Sequence, residues 1–126
     1  MGNDHDVQNL NVLCAEKGWK LAGIDKMEER ILNAALSVLE EQGPYAMLLY
    51  LKARHSEIFN QVEKEFKALL QEALQLHADE QADILAMVST LAEDLDNLLF
   101  TRDLFRNTLA YARYHLKAGG GGEETQ

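Results

Sequence analysis

A single proline, a single cysteine and an aromatic content of 7% are what this 126-residue sequence has least of. Each shortage excludes something. So little turn punctuation and so few strand formers speak against an all-β fold. A lone Cys14 cannot close an internal disulfide, so a reducing, cytoplasmic setting is expected. Positive charge is also scarce, with 12 Lys+Arg against 21 Asp+Glu and a formal net charge of −9. A protein that met nucleic acid or anionic membrane with its whole surface would carry the opposite balance. No apolar run approaches the ~20 residues of a membrane-spanning helix, so no membrane partner is expected. The opening MGNDHDVQNL is acidic and lacks the basic-then-apolar layout of a signal peptide. Asp6 stands where a myristoylation site needs Ser or Thr.

What is abundant is apolar residue, 47% of the chain, at helical spacing. The length allows one domain. Val7, Leu10, Leu13 and Cys14 form a short stripe over 6–17, which Gly18 is expected to end. Asp25, three residues before Glu28, resembles a capping box for the next helix. That helix carries Met27, Ile31, Ala34, Ala35, Val38 and Leu39 on one face. Gly43-Pro44 should stop it and start another, since glycine suits a helix end and proline the first turn. Residues 45–54 are apolar almost all round, as expected of a helix in the middle of a bundle. Ser56 is a candidate N-cap for a fourth helix with Ile58, Phe59, Val62, Phe66, Leu69, Leu70, Ala73 and Leu74 inward.

His77-Ala78-Asp79 interrupts this pattern, with Asp79 expected to cap the next helix. From Ile84 through Val88, Leu91, Leu95, Leu98, Arg102, Phe105, Leu109 and Ala112 to Leu116, steps of four and three alternate in a heptad series whose single charged intruder is Arg102. Two helices are expected across 79–118, divided at Thr101, because one helix of that length would be unusual. The sequence therefore predicts an all-α protein: a single bundle of five to six helices, mostly antiparallel, over 1–118. A flexible Gly-rich acidic tail is expected over 119–126.

Motifs for chemistry are lacking. His5, His55, His77 and His115 stand in no metal-binding spacing, and His77 with Glu80 is explained as two solvated residues at a turn. Cys14 lies on an apolar stripe as a small core residue, with nothing local to activate a thiolate. There is no phosphate loop and no nucleophile elbow. No catalytic residue, metal or cofactor is expected, and the chain is read as a non-enzyme.

The charge layout says more. Residues 79–100 hold six carboxylates and no Lys or Arg. Residues 101–118 hold Arg102, Arg106, Arg113 and Lys117 against Asp103 alone. At ~100° per residue those four bases fall within an arc of roughly 60° on a helix. With Tyr111 and Tyr114 alongside, such a stripe can hold phosphates and stack bases. Lys52 and Arg54 add a second basic spot. The plainer reading is that the stripe is solvated, or pairs with the acidic stretch before it in a hairpin.

Two stretches resemble one family. Ile31-Leu32-Asn33-Ala34-Ala35-Leu36, then Gln42 through Leu51 closing on Lys52-Ala53-Arg54, is similar to the Gly-terminated helix and following apolar helix of the small all-helical subunit of type III CRISPR RNA-guided effector complexes, the Cmr kind in particular. Leu109 through Tyr114, His115, Leu116, Lys117 and Ala118 resembles that family's aromatic and basic last helix. The resemblance implies a non-catalytic, cytoplasmic subunit of an antiviral defence complex. Copies of it would stack along the guide–target duplex, partnered by other effector subunits, by the backbone of guide and target RNA, and by themselves. Arg102, Arg106, Arg113, Lys117, Lys52 and Arg54 would be the RNA-binding residues. The competing expectations are an acidic helical protein-interaction module or dimeric adaptor with no nucleic-acid role, and a small ligand-binding or catalytic bundle.

Overall fold

A computed structural model describes residues 3–75 and 82–119, with side chains from residue 9 onward. Six α-helices make up the described residues: α1 (Asn3–Ala22), α2 (Glu29–Gln42), α3 (Pro44–Arg54), α4 (Ser56–Leu74), α5 (Ile84–Leu91) and α6 (Leu95–Lys117). Asp79 and the His77–Glu80 pair fall outside the described residues, as does the tail beyond Gly119.

Gly18 does not end α1. It lies inside it, where a Cβ would meet Tyr111 Cβ at 2.7 Å, the Thr108 carbonyl oxygen at 2.8 Å and the Ala112 nitrogen at 2.9 Å. Two of those atoms are backbone, which cannot swing aside. A residue that costs helix propensity is therefore what lets α1 and α6 pack backbone to backbone. Four residues earlier, buried Cys14 directs its thiol to the Leu104 carbonyl at 3.8 Å. The partners of positions 14 and 18 rise together along α6, so the two helices run parallel. Theirs is the most extensive helix–helix contact in the bundle.

The expected cap at Asp25 is replaced by a tight turn, with Lys26 at φ 75° reversing the chain. Glu28 is the N-cap of α2 and makes no side-chain cap bond. Gly43 behaves as the sequence implies. At φ 98° it closes α2, its N–H reaching the Leu39 carbonyl, and Pro44 opens α3. Helix α3 buries Pro44, Met47, Leu48 and Leu51 but leaves Tyr45 and Leu49 44% and 47% exposed. It packs on the bundle by one face instead of lying in its middle. Ser56 is the first residue of α4, and His55 precedes it without a side-chain cap.

The α4 stripe is buried as expected through Ile58, Phe59, Val62, Phe66, Leu69 and Leu70. Phe66 meets Phe105 of α6 with ring centroids 4.4 Å apart, joining the two helices across the core. Lys17, 4% exposed as a residue, reaches out of the α1–α4 seam to Glu72 at 3.1 Å. Helix α4 also holds the start of α5. Glu63 accepts from the Ile84 N–H at 3.2 Å, and Lys67 donates to the Ala82 carbonyl at 2.8 Å.

The apolar series from Ile84 to Leu116 does belong to two helices, but they part at 92–94. Asp94 caps α6 by accepting from the Asn97 N–H at 3.0 Å. Thr101 is buried inside α6. A capping carboxylate at a helix N-terminus satisfies an orphan N–H and complements the helix dipole. Thr101, within the helix, has no such vacancy to fill.

Gly18→Ala should lower the urea midpoint by an amount worth about 2 kcal/mol, because helices would have to separate. At an open helical site the same change would stabilise by about 1 kcal/mol. Cys14 generates a second expectation. Burial pushes its thiol up from its ordinary 9.0, against a smaller opposing pull from the Thr108 hydroxyl. As pH rises past that value the unfolded chain releases the proton while the folded chain keeps it, so stability falls. Chemical denaturation of wild type and Cys14→Ala between pH 8 and about 10.5 should show that alkaline loss weaker in the variant.

Candidate nucleic-acid interface

The four bases of the last helix share one face, and three of them are engaged by α2. Lys117 pairs with Glu29 at 2.7 Å, Arg113 donates to the Asn33 side-chain oxygen at 3.0 Å, and Arg106 pairs with Glu40. A step of four on α2, from Glu29 to Asn33, answers a step of four back along α6. The step of seven from Asn33 to Glu40 answers one of seven from Arg113 to Arg106. The three contacts are thus rungs of one antiparallel ladder. Asp103, one turn before Arg106 on α6, adds a second carboxylate at 3.1 Å. The Glu40 hydrogen bond and both negative charges raise the Arg106 pKa.

The alternative that pairs this stripe with the acidic stretch before it finds no such pair among the described residues. Among the described residues its partners come from α2, and from Asp103 on its own helix. The reason is the order of packing. Helix α6 is flanked by α1 and α2, and α5 touches it far less. The carboxylates of α2 lie on its outward edge, where α6 presents its bases.

Arg102 continues the register beyond the ladder to the Gly43–Pro44 junction. It takes part in no ion pair among the described residues, and its Nε is buried without a hydrogen-bond partner there. Lys52 and Arg54 are exposed in the last turn of α3 and likewise take part in no ion pair among the described residues. They stand beside a helix C-terminus, where the dipole favours a cation. Tyr50 and His55 stack edge to face at the same end, with centroids 5.7 Å apart. The six bases expected to act together thus separate into a ladder of three set into the α2–α6 seam, a pair at the α3 terminus without ion pairs among the described residues, and Arg102 alone.

Sequence reasoning missed one further surface feature, a groove that holds an exposed aromatic ring among two lysines and two carboxylates. The groove between the end of α1 and the middle of α4 is lined by Trp19, Lys20, Gln61 and Lys64. Expecting the first helix to stop at Gly18 left Trp19 and Lys20 in a loop. Continuing the helical period past Gly18 would have placed them on α1. No group of three or more His, Cys, Asp or Glu among the described residues could hold a metal ion. No described helix is long and apolar enough to cross a membrane. No family model, no curated protein and no solved structure matches the chain.

The ladder should be worth little in stability and should be sensitive to salt, since its charges are 36–57% exposed. A double-mutant cycle on Arg106→Ala and Glu40→Ala should give a coupling below about 1 kcal/mol, shrinking further at 1 M salt. A coupling of several kcal/mol would make this seam the anchor of α2.

Proposed function

We propose that the chain is a non-catalytic small subunit of a CRISPR ribonucleoprotein effector complex of the Cmr kind. In this reading it lies along the guide–target duplex and contacts RNA backbone from one face. The observation that carries the reading is where the two resembling stretches sit. One ends α2 at Gly43 and closes α3 on Lys52 and Arg54, and the other forms the last turns of α6 up to Lys117. Both stretches lie within helices, and α2 and α6 lie side by side. The basic surface these stretches carry has two parts, the α3 terminus and the α2–α6 seam.

The division of labour within that surface differs from the one the resemblance implies. Lys52 and Arg54, with no ion pair among the described residues, are the principal phosphate contacts. Arg106, Arg113 and Lys117 hold α2, and a phosphate must compete with Glu29, Asn33 and Glu40 for them. Arg102 stands between the two groups. A local basic face on an acidic protein suits such a subunit, because attraction to RNA is set within a Debye length of ~8–10 Å and not by total charge. The acidic remainder faces protein neighbours.

A second observation favours protein contact as well. Leu95 and Leu99, one turn apart on α6, are 66% and 41% exposed, and Tyr45 and Leu49 form a similar pair on α3. In the effector reading these pairs meet neighbouring subunits. Alone, they would suit the adaptor reading.

Affinity purification of the tagged chain from its host separates the two. The effector reading expects a uniform short RNA together with several further proteins. Lys52→Glu with Arg54→Glu should reduce RNA recovery about tenfold, and lower the salt slope of RNA binding by about 1.8. Recovery of one protein partner without RNA would replace it with the adaptor reading.

A further inference from the structure

The groove between α1 and α4 holds the chain's one tryptophan. Trp19 lies in the last turn of α1 and is 45% exposed. A lone exposed aromatic is ordinary, and what sets this one apart is its company. Lys20 follows it on the same turn and Lys64 faces it from α4. Both are exposed, and neither takes part in an ion pair among the described residues. Gln61, one turn before Lys64, offers an amide that can donate and accept. Asp25 and Glu65 also line the groove, with Gly23 and Ile24.

We infer that this groove binds an unpaired nucleotide of single-stranded RNA, with the base stacked on Trp19 and the flanking phosphates held by Lys20 and Lys64. An indole face is the strongest stacking platform a protein has, and every base offers a face to it. Two lysines beside it are the usual complement for the adjoining phosphates. The two carboxylates do not contradict this. They repel phosphate but accept hydrogen bonds from a ribose 2′-hydroxyl or an exocyclic amine, which orients the sugar and base edge toward them. The groove, about 350 Å³ and open to solvent, is of a size to take a nucleoside.

The site is distinct from the α3 terminus. Gln61 and Lys64 are five and eight residues past the start of α4 at Ser56, or about 8–12 Å along the helix. Lys52 and Arg54 sit just before that start. The inference rests on the RNA-binding reading for the kind of ligand, and adds a single-stranded site to a backbone contact.

The test uses the full chain at low salt and a short oligouridylate, read by Trp19 emission and by anisotropy of the labelled RNA. Expected are saturable quenching of the emission and an anisotropy midpoint that matches it. Lys20→Glu with Lys64→Glu should move that midpoint about tenfold and reduce the salt slope by about 1.4. Trp19→Ala should weaken anisotropy-detected binding about fivefold or more, with Trp19→Phe recovering most of it because a ring face remains. Binding by anisotropy with unchanged Trp19 emission and a normal Trp19→Ala would overturn the stacking site while leaving the backbone contact intact. No RNA binding by either signal, in this assay and in the purified assembly, would overturn both.

Discussion

The bundle depends on how closely α1 approaches α6. At Gly18 there is no room for a methyl group, and the obstruction is largely helix backbone. Neither helix can yield without moving as a whole. That contact fixes the rotation of α1, and with it everything α1 carries: Cys14 against the Leu104 carbonyl, Lys17 toward Glu72, and Trp19 into the groove beside α4. Had a larger residue occupied position 18, α1 would stand off or turn. The buried stem of Lys17 would then lose its packing, since a lysine is buried only while its ammonium reaches a partner.

Helix α6 is the axis to which the rest is attached. It meets α1 through small residues and backbone, α4 through the Phe66–Phe105 contact, and α2 through a ladder of polar and charged side chains. The three seams differ in strength. Close packing and aromatic burial exclude water and contribute most of the stabilisation. The ladder is half-exposed and contributes register more than energy. Opposite charges at matching steps favour one sliding position of α2 against α6, and a shift of one turn would leave several of them without partners.

This arrangement bears on the functional reading. Bases that hold a neighbouring helix keep their positive charge, but they are held in place and partly neutralised. Bases at the α3 terminus and around the exposed ring take part in no ion pair among the described residues, although Asp25 and Glu65 line the groove with Lys20 and Lys64. In the proposed reading, RNA contact therefore shifts from the last helix toward the α3 terminus and the α1–α4 groove. A chain of −9 net charge can meet a polyanion only through such local concentrations of free cations.

Much of the fold was legible in the residues themselves. The period of Ile58, Phe59, Val62, Phe66, Leu69 and Leu70 defines a buried face because a helix brings those positions into line whatever it packs against. Gly43-Pro44 marks a boundary because φ 98° and a missing N–H are local requirements. The all-α bundle follows from such local rules. What they could not supply were decisions that involve a second helix. Gly18 is a helix end by local preference and a helix interior by necessity, since another backbone lies where its side chain would be. Thr101 resembles a cap, yet Asp94 takes that role, and packing buries the threonine. The basic stripe of α6 was visible as a stripe, but its partners depended on which helix came to lie beside it. Local sequence determined where helices form and which faces are apolar, because those follow from a few consecutive residues. Only the tertiary structure decided which charges remain free, because a charge is paired or unpaired according to what stands across from it.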